Sequence, residues 1–154
     1  MARALLGLGS NMGDSWTLLR TAVASLDGVT AVSPVYRTAP MGGPDGQDPY
    51  LNIVVAIDTE LSPRELLDEC HRLETAADRV RIERWGPRTL DVDIEWIDGV
   101  VIDEPDLQIP HPRMRERRFV MAPLADIAPD VAGDDWERAA DGEIERVGPL
   151  DGER

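Results

Sequence analysis

Hydrophobic residues recur at helical spacing in two segments of the chain. The first segment follows Asp14 and carries Leu18, Leu19, Ala22, Val23 and Leu26. This spacing predicts a helix that Asp14 caps and that ends near Gly28. The second segment, 62–77, opens with the sequence SPRE, which has the residue types and spacing of a capping box. A second helix is therefore expected there.

Segments rich in β-branched and apolar residues alternate with these helices. They predict four strands, at 3–9, 29–37, 50–59 and 89–97. The Asp98-Gly99 turn predicts an added hairpin strand at 100–102, and a last helix is expected within 113–127. The order β-α-β-β-α-β is typical of an α+β, ferredoxin-like antiparallel sheet. We find no domain boundary, so residues 1–154 are predicted to be a single domain, with an acidic polar tail from about 132.

The strand predicted at 89–97 alternates strictly between apolar and acidic residues. One face carries Leu90, Val92, Ile94 and Trp96, and the other carries Asp91, Asp93 and Glu95. Two carboxylates two residues apart share a strand face and suit Mg²⁺, which completes its shell with water and phosphate oxygens. Taken alone, the Asp91–Asp93 pair is more typical of a strand whose polar face meets water.

Charge is distributed unevenly along the 154 residues. The net charge of −14 argues against a broad nucleic-acid-binding surface. All sixteen basic residues are arginine, which excludes mechanisms that need a lysine, such as a Walker loop or a Schiff base. Nine of them fall within 72–118, whereas 126–154 holds ten acidic residues and three arginines. An arginine-rich middle in an acidic protein indicates a small anionic ligand.

Four arginines lie in the Gly-Pro loop that precedes the acidic strand, namely Arg79, Arg81, Arg84 and Arg88. Arginine forks beside metal-binding carboxylates meet the needs of phosphoryl transfer, which depends on positioning and charge stabilisation. Arg79 and Arg81 could instead form a structural salt-bridge network with Glu83 and Asp91. The residue pattern leaves both interpretations open.

Other candidate residues carry weaker signals. Tyr50 and Phe119 could stack on a flat heterocycle and Asn52 could match its edge, although core packing is the alternative. His111, between two prolines, could donate to a phosphate, although a structural role is more usual for a lone loop histidine. Cys70 falls in an apolar pattern and is interpreted as an inert core thiol. A single cysteine indicates a reducing cytoplasm, and no apolar run approaches the length of a membrane span.

The segment ERWGPRTLDVDI, residues 83–94, resembles the signature of the 6-hydroxymethyl-7,8-dihydropterin pyrophosphokinases. Other segments that match the family occur along the chain in the family's order, namely LGSNMGD, YRTAPMG, DPYLN, RLE, IPHPRMRERRF and PLADIAP. Together they span about residues 4–131. The resemblance implies a ferredoxin-like enzyme of folate biosynthesis that transfers the β,γ-diphosphate of ATP to a pterin hydroxymethyl group and releases AMP.

The resemblance also implies roles for individual residues. Asp91 and Asp93 are expected to hold two Mg²⁺ ions, and Arg79 and Arg88 to steady the transferring group. The expected pterin-binding residues are Thr38, Ala39, Met41, Tyr50, Asn52 and Phe119. The expected nucleotide-binding residues are Glu74, Arg81, Arg84, Trp85, Ile94, Leu107, His111 and Arg117. Pro112 departs from the family, since many members have tyrosine there.

The expected partners are ATP and the hydroxymethyl-dihydropterin, with no nucleic acid and no membrane, and the protein is expected to be a cytoplasmic monomer. Catalysis is expected to rest on alignment and charge neutralisation, with loops 38–49 and 78–88 closing over the ligands. A non-enzymatic RNA-binding or regulatory module is the second hypothesis, because ferredoxin-like domains often serve these roles. The acidic charge opposes RNA binding, and a regulatory module needs no paired carboxylates.

Overall fold

The computed structural model describes residues 1–11, 14–38, 49–78 and 90–151. The strands are β1 (Ala2–Ser10), β2 (Val29–Val32), β3 (Pro34–Thr38), β4 (Tyr50–Thr59), β5 (Asp91–Ile97), β6 (Ile102–Glu104), β7 (Leu107–Ile109) and β8 (Ile144–Pro149). The helices are α1 (Ser15–Ala24), α2 (Pro63–Asp78), α3 (Arg118–Ile127) and the one-turn α4 (Pro129–Ala132) and α5 (Trp136–Ala139), with a 3₁₀ turn at Met114–Glu116. Among the helices in these ranges, none has the length and apolar character needed to cross a membrane.

Six strands form an antiparallel sheet in the order β5-β1-β4-β3-β8, and β2 pairs with the end of β4 that β3 leaves free. The central strands β1 and β4 pair along their whole length, from Ala2 opposite Thr59 to Ser10 opposite Leu51. Helices α1 and α2 connect strands on one face of this sheet. The predicted α+β, ferredoxin-like fold is confirmed.

Both predicted helix starts are confirmed by their caps. The Asp14 carboxylate accepts a hydrogen bond from the Thr17 backbone N–H at 3.1 Å. At the start of α2, the Glu65 N–H donates to Ser62 Oγ at 3.1 Å, and the Ser62 N–H donates to Glu65 Oε1 at 2.8 Å. These reciprocal bonds satisfy donors that the first helical turn leaves without intrahelical partners.

The sheet has a hydrophobic core on each face. On the face that we call the α2 face, strand residues such as Leu6 and Ile53 pack in one cluster with Leu19 of α1 and Leu66 and Cys70 of α2. The opposite face, called the α3 face, buries a second cluster: Leu5, Val54, Ala56, Met114, Val120, Met121, Leu124, Ala128, Val131, Ala132 and Ala140. The second cluster ends partway along the sheet, where smaller and polar residues take over.

The strand predicted at 29–37 is divided in two at Ser33. The Ser33 hydroxyl donates to the Pro34 carbonyl at 2.9 Å and accepts from the Val54 N–H at 2.9 Å. The Ser33 side chain therefore accepts a β4 N–H that a strand backbone would otherwise accept. The regular strand pairing is interrupted here, next to Pro34, which has no N–H to donate. The two halves, β2 and β3, pair with different parts of β4.

The predicted hairpin between β5 and residues 100–102 is wrong. Asp98-Gly99 does form a turn, closed by the Val100 N–H donating to the Ile97 carbonyl at 3.1 Å. The hairpin that forms next joins β6 to β7. The outer edge of β5 is not free for a hairpin partner at this end, because the His111 N–H bonds the Glu95 carbonyl there.

Two further expectations differ from the structure. Trp96 packs against the core of the α3 face, not with Ile94, because the β1–β5 register shifts at Leu5/Leu6 and leaves Glu95 as an extra residue. The acidic segment expected to be a tail from about 132 contains α5 and β8. Strand β8 pairs with β3 and forms an edge of the sheet.

Candidate active site

A cavity of about 580 Å³ lies on the α3 face, beyond the end of its hydrophobic core. Its floor is formed by β1, β4 and β5, and Gly7 and Gly9 of β1 lie at its centre. A Cβ on Gly7 would lie 2.7 Å from Glu95 Oε2, and one on Gly9 would lie 2.8 Å from Asn52 Oδ1. The two glycines therefore leave space for polar side chains to lie across the floor.

Three carboxyl groups of β5 line this cavity. Asp93 is paired with Gly7 and Asp91 with Gly9, so both aspartates project from the α3 face beside the glycines. Asp91 is half-buried and Asp93 is exposed, whereas Glu95 is only 1% exposed. Burial, and next the nearby Asp93 charge, raise the pKa of Glu95 to about 8, and Arg117 opposes this shift. The cavity thus combines two accessible carboxylates with one buried carboxyl group.

The outer edge of β5 is held by two bonds. The Val92 N–H donates to Glu74 Oε2 of α2 at 2.9 Å, and the His111 N–H donates to the Glu95 carbonyl at 2.9 Å. Glu74 lies on the α2 side of β5, so its carboxylate fixes the backbone between Asp91 and Asp93. Helix α2 therefore helps to position the two aspartates, although none of its residues lines the cavity.

His111 and Arg117 lie at the same side of the site. His111 Nδ1 accepts the Arg113 backbone N–H at 3.1 Å, so the proton of the neutral ring is on Nε2. Burial lowers the pKa of His111, with Arg117 and Arg113 adding to the effect and Asp93 opposing it. The Arg117 guanidinium lies 5.7 Å from the centroid of the Phe119 ring, within the range of a cation–π contact. This arrangement provides a cation and a neutral N–H donor for an anion.

Another part of the cavity lining combines aromatic and amide groups. Thr38, Tyr50, Asn52 and Phe119 all line it. Asn52 is buried, and its Nδ2 donates to Thr38 Oγ1 at 3.2 Å. Its other amide atom, Oδ1, lies over Gly9 and faces the cavity. Such a set can stack on a planar ring and hydrogen-bond its edge.

The C-terminal segment also contributes to the cavity, which the sequence did not predict. Residues 141–144 line the wall, together with Arg113 and Glu116 of the preceding 3₁₀ region. The Asp141 N–H donates to the Glu116 carbonyl at 2.9 Å, and the Arg118 N–H donates to the Asp141 carbonyl at 3.0 Å. The Arg118 guanidinium also donates to the Gly142 carbonyl at 3.0 Å. No local pattern in the acidic segment indicated these bonds, since their partners lie some 25 residues earlier.

Comparison with known proteins identifies the family. The family model for 7,8-dihydro-6-hydroxymethylpterin-pyrophosphokinase matches residues 5–129. The chain belongs to this family. A 2-amino-4-hydroxy-6-hydroxymethyldihydropteridine pyrophosphokinase from Methylorubrum extorquens is 49% identical over 136 residues, covering 85% of each chain. The protein of that name from Bacillus subtilis is 45% identical over 149 residues, covering 94% of this chain and 89% of the relative.

Solved structures of the family share the fold. A Plasmodium falciparum HPPK-DHPS, solved with pterin and p-hydroxybenzoate, superimposes with a TM-score of 0.62 at 15% identity. An HPPK-DHPS in complex with substrates gives 0.61 at 12% identity. The present chain aligns over 83% and 84% of its length with these proteins and spans 40% and 42% of theirs. At this identity the similarity establishes the fold alone.

Of the eleven predicted site residues that the structure describes, nine line the cavity or bond to its edge strand β5. Seven of them line the cavity or its floor, namely Thr38, Tyr50, Asn52, Asp91, Asp93, Arg117 and Phe119. Glu74 and His111 are bonded to the outer edge of β5. Ile94 and Leu107 are buried in the core of the α2 face, and their assignment to the nucleotide site stays a prediction. The following predicted residues lie outside the described ranges: Ala39, Met41, Arg79, Arg81, Arg84, Trp85 and Arg88.

Proposed function

We propose that this protein transfers the pyrophosphoryl group of ATP to the hydroxymethyl oxygen of 6-hydroxymethyl-7,8-dihydropterin and releases AMP, in folate biosynthesis. The observation that carries the proposal is one cavity, in a chain of this family, that joins a heterocycle-binding end to a carboxylate-bearing strand. The names of the relatives describe the same reaction class. A module that only binds a heterocycle would not need the carboxylate-bearing strand beside it.

The pterin is proposed to bind between Tyr50 and Phe119, with its polar edge on Asn52 and Thr38. A flat ring with alternating donors and acceptors matches an amide that is held at one end and presents its other end to the ligand. The fixed Asn52 side chain supports this assignment, because its Nδ2 already has Thr38 as acceptor and Oδ1 remains directed at the cavity. Ala39 and Met41 are proposed to complete this pocket from the following loop.

Two Mg²⁺ ions are proposed to bind at Asp91 and Asp93. The donor set fits, because both groups are oxygen ligands on one strand face beside an open cavity, and Mg²⁺ usually takes few protein carboxylates. In the described ranges, no group of three or more candidate ligands is assembled, which favours ions completed by water and phosphate over a closed protein cage. The bound ions would neutralise charge on the triphosphate.

The nucleotide is proposed to lie beside the outer edge of β5. His111 Nε2–H and the Arg117 guanidinium are proposed to donate to phosphate oxygens, and Arg79 and Arg88 to grip the transferring group. Glu74, Arg81, Arg84, Trp85, Ile94 and Leu107 are proposed for the remainder of the nucleotide site. Arginine forks at fixed positions stabilise the dispersed charge of a phosphoryl-transfer transition state.

The main contribution of the chain to rate is proposed to be alignment. The hydroxymethyl oxygen attacks the β-phosphorus, the bond from that phosphorus to the α-phosphate bridging oxygen breaks, and AMP leaves. Stacking at Tyr50 and Phe119 fixes the nucleophile, while His111, Arg117 and the loop arginines fix the triphosphate. Closure of the two loops would exclude water, which otherwise competes for the β-phosphorus.

An assay of product identity tests the proposal. Purified protein is incubated with ATP, Mg²⁺ and the hydroxymethyl-dihydropterin, and nucleotides are separated by chromatography. AMP and the pterin diphosphate are expected in equal amounts, and neither product without pterin or with excess EDTA. Release of ADP, or AMP formed without pterin, would refute pyrophosphoryl transfer. No turnover with tight RNA binding would support the non-enzymatic module instead.

The same protein is proposed to be a cytoplasmic monomer without nucleic-acid or membrane partners.

A further inference from the structure

Glu95 is a buried carboxyl group that no role described above requires. The residue is 1% exposed, and its Oε1 has no hydrogen-bond partner within the described part of the chain. Leaving a buried polar atom unsatisfied costs about 1–3 kcal/mol, so such atoms are rare in folded proteins. An apolar residue of similar size at this position would remove that cost. A carboxyl group at this position therefore calls for a partner from outside the described part of the chain.

The backbone directs this side chain into the cavity. Glu95 is the extra residue at the register shift between β1 and β5, and such irregularities re-aim side chains. Its carboxyl group lies across Gly7, since Oε2 is 2.7 Å from where a Cβ on that residue would be. Any other residue at position 7 would push this carboxyl group aside. A strand irregularity and a glycine together make room for it on the cavity floor.

The position of Glu95 relative to Asn52 matches a ligand of defined size. The Glu95 carboxyl lies over Gly7 and the Asn52 amide oxygen lies over Gly9, on the same face of β1. Residues two apart on a strand are separated by about 7 Å, which sets the approximate spacing of the two polar groups. A fused two-ring heterocycle that contacts Asn52 would therefore bring another part of its edge, or its substituent, near Glu95.

Two alternative roles for Glu95 fit the structure less well. A third metal ligand is not favoured, because Asp91, Asp93 and Glu95 do not form a group of three candidate ligands among the described residues. A structural salt bridge is not favoured either. Arg117 acts on Glu95 only through its charge, and no hydrogen bond joins the two side chains in the ranges that the structure describes.

We propose that Glu95 is a substrate-binding residue whose carboxyl group forms a hydrogen bond with an N–H or O–H group of the pterin substrate. The inference rests on the proposed function, since it assigns a further contact in the same cavity. It assigns Glu95 to the pterin and not to the nucleotide. The free-energy cost of an unsatisfied buried carboxyl oxygen in the ligand-free protein is then offset when the ligand supplies the missing partner.

Calorimetry and thermal melting of Glu95→Gln and Glu95→Met test this inference. Each variant is titrated with the hydroxymethyl-dihydropterin and, separately, with a non-hydrolysable ATP analogue plus Mg²⁺. Glu95→Met should melt at or above the wild-type temperature, because it removes the unsatisfied carboxyl, yet bind pterin at least tenfold more weakly. Glu95→Gln keeps one acceptor, so its affinity for pterin should lie between those of wild type and Glu95→Met. Affinity for the analogue should stay within about twofold, so KM for pterin rises more than kcat falls.

Glu60→Gln, an exposed position at the end of β4, is the matched control and should leave both affinities unchanged. Pterin affinity within twofold of wild type in both Glu95 variants would overturn the inference. Equal losses for pterin and analogue would also overturn it, because they indicate general distortion of the site. If wild-type protein itself binds no pterin, the proposed function fails first, and this outcome is distinct from the other two.

Discussion

Neutralising Asp93 should separate its role as a metal ligand from any role in folding. Asp91 and Asp93 project from the same face of β5, and residues two apart on a strand lie about 7 Å apart. Two like charges at that distance repel by about 0.6 kcal/mol in water and about 2.4 kcal/mol at an effective dielectric constant of 20. Asp93 is exposed, so the lower figure applies. Asp93→Asn should therefore change the melting temperature of the ligand-free protein by about 2 °C or less, and upwards.

The effect on nucleotide binding should be far larger. An ATP analogue at one hundred times its dissociation constant stabilises a protein by about 2.7 kcal/mol, which is about 5–10 °C for a domain of this size. If Asp93→Asn weakens Mg²⁺-dependent binding about a hundredfold, the same concentration stabilises by only about 0.4 kcal/mol, or about 1 °C. Turnover should fall to near background.

The assay is thermal melting with and without the analogue, in Mg²⁺ and in EDTA, for wild type, Asp91→Asn and Asp93→Asn. Asp58→Asn is the matched control, since Asp58 is an exposed aspartate on β4, and it should keep the full Mg²⁺-dependent shift. If that shift survives intact in both Asp91→Asn and Asp93→Asn, the metal assignment is refuted. The pair is then the solvated polar face of a strand.

The site leads to four more predictions. Asn52→Ala should weaken pterin binding by about 1–3 kcal/mol in calorimetry, with analogue binding nearly unchanged, and equal losses for both ligands would remove Asn52 from the pocket. Glu74→Ala should destabilise the protein to denaturant by about 1–3 kcal/mol, because the Val92 N–H loses its acceptor, and should lower turnover through the displaced aspartates; normal turnover would argue against this positioning role. Arg88→Ala should lower kcat strongly with little change in nucleotide affinity, and Arg88→Lys should rescue poorly, whereas full rescue would indicate simple charge screening. In an NMR titration His111 should have a pKa below 6.5, and Asp93→Asn should lower it further, because the aspartate charge opposes the effect of burial. Since the unfolded chain then binds the proton more readily, His111 should make the fold less stable as pH falls below about 6.5.

Local sequence signals predicted the elements that depend on local physics. The Asp14 cap, the Ser62–Glu65 capping box and the alternation over residues 91–94 of β5 are set by groups three residues apart or fewer, and all three are present. The same alternation placed Glu95 on the face of Asp91 and Asp93. These features could be predicted because each is satisfied within one helix turn or one strand.

The features that escaped prediction depend on distant partners. The hairpin at Asp98-Gly99 did not form because the His111 N–H, from a later segment, bonds the Glu95 carbonyl on the edge of β5 that a hairpin would need. The bulge at Glu95 depends on a register set by β1, and its consequence for Trp96 was not visible in the alternation. Strand β8 carries a weak pattern and pairs with β3, more than a hundred residues earlier. The wall of the cavity at 141–144 was therefore not predicted.

The single thiol of the protein can serve as a reporter of its opening. Cys70 is fully buried in the core of the α2 face, and burial raises its pKa to about 12. Because the thiolate is the reacting species, alkylating reagents should modify the native protein only during excursions that separate α2 from the sheet. The ratio of the alkylation rate to that of a free thiol then measures the population of this open form. Since α2 also carries Glu74, the same rate shows whether nucleotide binding tightens the packing of α2 on the sheet.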